Sequence, residues 1–338
     1  MTNCYPHQYI ERETSRVRNE PLIADQTVNT IYSSVRERAP VLYNLVTSAR
    51  MSGLLGYLMY DFPPGLRASS SAKIMAELDI DRRECLDSPD AFDSVRKIFE
   101  RKIRYWQCRP LPGENDRVAS PADSKMLAGS LTEHSALFIK EKFFRYEELL
   151  GPEKTDWLTA FEGGDFAVFR LTPEKYHYNH CPVSGRVVDI YEIAGQYHSC
   201  NPGAVVAAVT PFSKNKRVVT IIDTDVEGGT GVGLVAMIEV VALMIGGIVQ
   251  CYSEHRYDEP QPVVPGMFIR RGRPKSLYRP GSSVDVLLFQ REKITFSGDI
   301  LANLHRSDAR SRYLAGFRRP LVETEVMVRA PIAKRWRS

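Results

Sequence analysis

Arg279-Pro280-Gly281-Ser282-Ser283-Val284-Asp285-Val286-Leu287-Leu288-Phe289 reads as a turn that opens into a buried strand. Pro, Gly and two Ser punctuate the chain, and Val284 to Phe289 carries the β-branched and aromatic residues that suit a pleated interior. The Gly281-Ser282 step also has a chemical reading. Glycine has no side chain to block approach and tolerates strained dihedrals, so the Ser282 hydroxyl can attack the carbonyl behind it. The product is an ester in the main chain. Elimination from that ester would turn the serine into a pyruvoyl group, a ketone able to capture an amine. A Gly-Ser-Ser tripeptide alone is most often only a turn, so its meaning depends on the rest of the chain.

Outward from this stretch, the sequence from about residue 115 breaks into short apolar runs separated by Gly, Pro and Asn turns. Asp165–Phe169, Arg186–Ile193, Val205–Thr210, Arg217–Asp223 and Val284–Phe289 are predicted strands. Val232 to Val249 is the most apolar stretch. It contains Glu239 and is borderline in length for a membrane span, so buried β-structure is expected. The loop Gly228–Gly233 lacks both the P-loop lysine spacing and a Gly-x-Gly-x-x-Gly pattern, and reads as a hairpin or strand-edge loop. Toward the N-terminus the period changes. Leu42, Leu45, Val46 and Ala49, then Leu54, Leu55, Leu58 and Met59, recur at helical spacing. That stripe can pack on the β domain or, with Arg50, Tyr57 and Tyr60 beside it, lie on a bilayer. Ser88-Pro89 predicts a helix start, with Phe92, Val95, Ile98 and Phe99 inward. The expected fold is α+β: an N-terminal helical segment followed by a β-rich, double-sheet catalytic domain. Its expected parts are an irregular segment 1–28, a helical segment 29–110, a β-rich domain 111–320 and a basic tail 321–338.

Two further segments carry reactive groups. Phe169 to Gly185 contains His177 and His180, three apart and flanked by prolines. They can be core residues, a catalytic base or metal ligands. No third and fourth ligand stands at helical or Cys-x-x-Cys spacing, so no metal site is expected. Ala119-Ser120-Pro121-Ala122-Asp123-Ser124-Lys125 offers a carboxylate in a short loop, where Asp is usually a turn former.

Taken together, these segments resemble the phosphatidylserine decarboxylase family. Phe169–Gly185 is similar to its Pro-x-x-Tyr-His-x-x-His-x-Pro-x-x-Gly block, and Pro121-Ala122-Asp123 to its Pro-Ala-Asp-Gly loop. Gly281-Ser282-Ser283 falls where the family has the Leu-Gly-Ser-Thr self-cleavage site. Ser94–Ile103 followed by Arg109-Pro110, Ser199–Pro202, Gly247–Val249 and Lys293–Leu301 continue the resemblance in order, over about residues 85 to 305. It implies a self-processing carboxy-lyase, cut between Gly281 and Ser282 into a β chain of 281 residues and an α chain of 57. Ser282 would be the nucleophile and the source of a covalent pyruvoyl cofactor. His180 would be the base, Asp123 would orient and charge-stabilise its ring, and His177 would contact substrate or pyruvoyl. The implied reaction is phosphatidylserine to phosphatidylethanolamine and CO₂. The same chemistry on a soluble amino acid is the alternative, and a non-processing lipid-binding relative is a distant one.

The chain departs from the family pattern at Ser124 for glycine, at Pro280 before the cleavage glycine, at Ser283 for threonine, and at Val95 and Ile98 for aromatics. None removes a reacting group, but they loosen the substrate assignment. Bulk composition is that of a globular enzyme, with 43% hydrophobic residues and a formal charge of +4. The mild positive charge suits an anionic membrane surface. Six scattered cysteines without paired spacing read as reduced thiols, and Met1 to Arg18 has no signal-peptide pattern. The expected setting is cytoplasmic, peripheral to a membrane, with the chain's own α and β pieces and a homodimer as partners and no nucleic acid.

Overall fold

The computed structural model describes residues 6–22, 25–32, 43, 47–48, 51, 60, 68–132, 143–207, 210–242, 247–281, 283–314 and 320–337. Its strands are β1 (Gln8–Glu11), β2 (Arg16–Asn19), β3 (Arg117–Ala119), β4 (Ser124–Ser130), β5 (Asp165–Leu171) and β6 (Tyr178–His180). They continue as β7 (Gly185–Ile193), β8 (Arg217–Asp223), β9 (Leu234–Val241), β10 (Ile248–Gln250) and β11 (Phe268–Ile269). The last five are β12 (Pro274–Tyr278), β13 (Ser283–Phe289), β14 (Ile294–Phe296), β15 (Glu323–Val326) and β16 (Pro331–Arg335). Ten of them form one sheet in the order β11-β7-β8-β9-β13-β5-β4-β15-β1-β2, and two three-stranded sheets, β10-β12-β6 and β14-β16-β3, complete the β-structure. The α+β, β-rich fold read from the sequence is the fold observed.

β13 lies at the middle of the large sheet. It pairs with β5 from Ser283↔Leu171 to Phe289↔Asp165, and with β9 from Ser283↔Val241 to Phe289↔Val235. Its side chains alternate between two cores, as period-two geometry requires. Val284, Val286 and Leu288 join Phe144, Phe166, Phe212 and Ile238 on one face. Leu287 and Phe289 join Met126, Phe169, Met237 and Ile332 on the other. A strand covered on both faces reads as a continuous apolar run, which is why this stretch is so legible.

Four expectations need correction. The segment 1–28 is not irregular throughout its described residues, because β1 and β2 form a hairpin and β1 pairs in parallel with β15. The basic tail expected at 321–338 is not a free end over its described residues, since β15 enters the large sheet beside β4 and β16 lies between β14 and β3. The strand expected at Val205–Thr210 does not start at Val205–Ala207. Pro202–Ala207 is helical, started by Asn201, whose side-chain oxygen accepts from the Gly203 amide at 2.8 Å, and by a proline suited to the first turn. The helix expected after Ser88 is broken in two. A 3-10 turn at Pro89–Ala91 ends, and Ser94 caps a new helix at Val95–Phe99 by accepting from Lys97. The apolar stripe Leu42–Met59 falls on residues outside those described. Among the described residues no helix is long and apolar enough to cross a membrane.

Candidate active site

Lys175 closes a tight turn by donating its amide to the Thr172 carbonyl, and the chain then enters β6. β6 lies antiparallel to β12, the strand that leads to Gly281, with Tyr178 opposite Leu277 and His180 opposite Pro274. Beyond the strand, the Tyr278 amide donates to the His177 carbonyl at 3.1 Å. His177 is therefore anchored opposite a residue three before Gly281, while His180 is anchored seven before it. Gly281 is buried with φ of 141°, a conformation that side chains rarely adopt. Ser282 lies outside the described residues.

The two histidines are both fully buried but differently bonded. His177 stacks on Phe99 with ring centroids 3.5 Å apart, and neither ring nitrogen reaches a partner at hydrogen-bond geometry. Burial, reinforced by the nearby Arg101 charge, holds its pKa well below the ordinary histidine value, against a small upward pull from the Lys175 backbone. In His180, Nδ1 lies 2.9 Å from the Gly272 carbonyl, which can only accept, so Nδ1 carries the proton. The Nε2 lone pair then accepts from the Tyr176 hydroxyl at 3.0 Å, and Tyr176 in turn contacts the Tyr257 hydroxyl at 2.7 Å. Burial pushes the His180 pKa down to about 3, so the ring is neutral.

Asp123 is not hydrogen-bonded to His180. Its carboxylate takes three N–H···O contacts of 2.8 to 3.2 Å from Arg109 and one of 2.7 Å from the Val328 amide. Burial alone would raise its pKa, but the Arg109 guanidinium outweighs that and holds it below the usual carboxylate range. Arg109 also binds Glu84, at 2.8 Å. Asp123 thus acts on His180 only through space, as an ionised group that favours the imidazolium. A cavity of about 610 Å³ opens here, lined among others by Arg101, Arg109, Asp123, Lys125 and Tyr176.

Sequence reasoning missed a second polar group under the start of β13. Glu239 faces Asp285 across β9 and β13. Glu239 accepts from Lys275 Nζ at 2.7 Å, from the Gln250 side-chain amide at 2.8 Å, from the Asn179 side-chain amide at 3.3 Å and from the Ser276 hydroxyl. With Lys275 beside it, Glu239 stays ionised despite complete burial. Asp285 has no cation of its own. Burial and the neighbouring Glu239 charge push its pKa well above the carboxylate range, so it is a neutral acid that accepts from the Tyr278 hydroxyl at 2.7 Å. Asp285 Oδ2, Ser283 Oγ, Asn179 Oδ1 and both His177 nitrogens are buried without partners. They lie on β6 and its approach and at the start of β13, next to the Gly281 turn. The available signals were Glu239 and Asp285, each a carboxylate inside an otherwise apolar run.

Elsewhere, His7, Glu20 and Glu323 present three potential ligand atoms within 4.8 Å of one another. The Arg170 guanidinium already fills the position of a cation. It donates to Glu20 at 2.6 and 2.8 Å and to Glu323 at 2.9 Å, with all three side chains buried.

The family model for phosphatidylserine decarboxylase matches residues 95–305. The phosphatidylserine decarboxylase proenzyme of Fusobacterium nucleatum is 27% identical over 300 residues, covering 88% of this chain and 91% of the relative. That of Ruminiclostridium cellulolyticum is 29% identical over 296 residues, covering 87% and 91%. The phosphatidylserine decarboxylase proenzyme 3 of Schizosaccharomyces pombe is 28% identical over 298 residues, covering 86% of this chain but 28% of the relative. A chain matched through its histidine block, its Asp123 loop and its Gly281-Ser282 turn belongs to the phosphatidylserine decarboxylase family of carboxy-lyases.

Proposed function

We propose that the chain cuts itself between Gly281 and Ser282 and then converts phosphatidylserine to phosphatidylethanolamine and CO₂. The observation that carries this reading is the Gly281 turn: a buried glycine at φ of 141°, joining β12 to β13, with an unpartnered His177 anchored opposite Tyr278. Ser282 Oγ attacks the Gly281 carbonyl carbon, and the acyl group moves from nitrogen to oxygen. Loss of the Ser282 α-proton then breaks the Cβ–Oγ bond, leaving Gly281 with a free carboxylate. Hydrolysis of the remaining enamine, in its imine form, releases ammonia and leaves the pyruvoyl group. His180, neutral and with its Nε2 lone pair directed at Tyr176, is the base of this sequence, reached from the cavity through that hydroxyl. Asp123 favours the imidazolium that forms.

The residues around the turn fit a pyruvoyl group. Unpartnered buried polar atoms on His177, Ser283 and Asn179 stand ready for a carbonyl and its substrate. When present, the group supplies an electrophilic ketone that draws electrons from the carbon bearing the substrate carboxylate. The chain's own part is to bind the head group in the cavity, to exclude water with the Phe99–His177 stack, and to return a proton from a His177 nitrogen. A peripheral association with anionic membrane belongs to this reading, as does work in the cytoplasm and as a homodimer.

Denaturing intact-mass spectrometry of wild type beside Ser282→Ala tests it. Wild type is expected to give a 57-residue fragment with the mass of an N-terminal pyruvoyl, and Ser282→Ala a single chain of 38.3 kDa. A folded wild-type chain that stays whole would overturn the reading. CO₂ release from free amino acids but not from phosphatidylserine liposomes would replace the substrate and keep the mechanism.

A further inference from the structure

The cavity beside Asp123 holds five described cationic side chains, and four of them are compensated. Arg109 is bound by Glu84 and Asp123, Lys175 by Glu325, and Arg18 by Glu11 at 3.1 Å. Lys125 donates to the Thr172 hydroxyl at 3.2 Å, with Glu174 at 3.7 Å and Glu20 at 3.9 Å. Arg101 differs. Its guanidinium donates only to two backbone carbonyls, Ile98 at 3.2 Å and Glu174 at 2.7 Å, and no described carboxylate lies within ion-pair distance. It is 6% exposed, and burial pulls its pKa down, which is the mark of a charge without a counter-charge in contact. The nearby acids Asp123 and Glu84 are both committed to Arg109. A guanidinium has five N–H donors in a fixed fork that matches carboxylate and phosphate oxygens. Two are used here, and an uncompensated buried charge is destabilising until an anion arrives.

Position narrows the anion. Arg101 follows the helix that carries Phe99, and Phe99 stacks on His177, while the Glu174 carbonyl ties Arg101 to the start of the histidine segment. An anion held by Arg101 would therefore sit in the cavity close to His177. A departing carboxylate is a poor choice. It loses its charge as CO₂ leaves, so a tight guanidinium contact would stabilise the ground state more than the transition state. A phosphodiester keeps its charge throughout.

We propose that Arg101 is the phosphate-binding residue of the substrate cavity, taking the phosphodiester of an amino-phospholipid head group. The inference rests on the decarboxylase reading for the identity of the substrate, but its test does not depend on chain cleavage or turnover. Full-length Ser282→Ala chain would be titrated with dihexanoyl-phosphatidylserine, dihexanoyl-phosphatidylethanolamine and L-serine, each followed by thermal shift. Both short-chain lipids are expected to raise Tm and L-serine to have no effect. Adding Arg101→Gln should abolish both lipid shifts, and Arg101→Lys should weaken lipid binding on the order of tenfold, as loss of a bidentate charge-assisted contact predicts. In processed enzyme, Arg101→Lys should raise KM on phosphatidylserine by a similar factor and leave kcat within about twofold, the pattern of uniform binding.

If Arg101 only ties its helix to Glu174, Arg101→Gln lowers the unliganded Tm and leaves the lipid shifts intact, and the proposal fails. It also fails if neither lipid binds, or if L-serine gives an Arg101-dependent shift. Should Arg101→Gln not fold, Arg101→Lys decides the question by the same titrations. Failure of the decarboxylase reading looks different: wild type stays whole or releases no CO₂, whatever Arg101 does.

Discussion

His180 makes the stability of this fold depend on pH in a way that can be calculated. Its folded pKa is pushed down to about 3 by burial, against an ordinary value of about 6.5 in the unfolded chain. The unfolded state therefore binds one more proton than the native state between these limits, and stability falls as pH falls through that window. Above about pH 6.5 the penalty is absent. For one such group the loss is about 2 kcal/mol between pH 7 and pH 5, and roughly 4 kcal/mol by pH 3. His177 is displaced in the same direction. Asp285, whose pKa burial and the Glu239 charge raise, works the opposite way. A difference between two variants removes both contributions. Urea unfolding of Ser282→Ala and of Ser282→Ala with His180→Gln, each at pH 7 and pH 5, would isolate His180. The parent should lose about 2 kcal/mol more than the His180→Gln chain over this interval, whatever the two stabilities are at pH 7. Equal losses would refute the reasoning, because they would mean that His180 titrates alike in the folded and unfolded chains.

Arg170→Met leaves the Glu20 and Glu323 carboxylates buried without their cation, and should destabilise the chain by about 3–5 kcal/mol, measured by urea unfolding of the uncut form. Gly281→Ala should slow or stop chain cleavage, followed by denaturing gel, because φ of 141° is strained for any residue with a side chain and costs about 1–3 kcal/mol. Asp285→Asn should make the chain more stable at pH 7 and remove the loss seen in the parent as pH rises, because the parent's folded carboxyl holds a proton that its unfolded chain releases. Unfolding midpoints at pH 7 and pH 9 check this. Removing the carboxylate's partner instead, by Lys275→Met, should destabilise strongly at both pH values, because Glu239 is left fully buried and charged.

The parts of this molecule that could be read from sequence are those fixed by local pattern. β8 matches its expected bounds at Arg217–Asp223 and β13 begins one residue early, because both are covered on two faces and so carry long apolar runs. The hairpin of β1 and β2 was not legible. Only Ile10 of its residues is fully buried, and its place in the sheet comes from β15, more than 300 residues away in sequence. The same holds for β16, whose basic residues hide a strand registered against β3. At the site, His177, His180 and Asp123 stand out by residue type and spacing. Their bonding does not, because Asp123 takes its contacts from Arg109 and from the Val328 amide, at separations no local motif encodes. Glu239 was visible as a misplaced charge, but Lys275 is 36 residues downstream, and only sheet pairing brings them together.

The central position of β13 bears on what a cut at Gly281 does to refolding. All seven residues of β13 are paired on both sides, with β5 and with β9, so a 57-residue piece made by such a cut would stay embedded while the fold lasts. Once the cut protein unfolds, the order of the reaction changes. An uncut chain finds its β13 by closing a loop within one molecule, at a rate independent of concentration. Two separated pieces must first meet, and the middle of the sheet is missing until they do. Dilute mature protein should then unfold essentially once, with a working life set by its unfolding rate rather than by an equilibrium. Maturation would in this sense make the molecule both active and mortal.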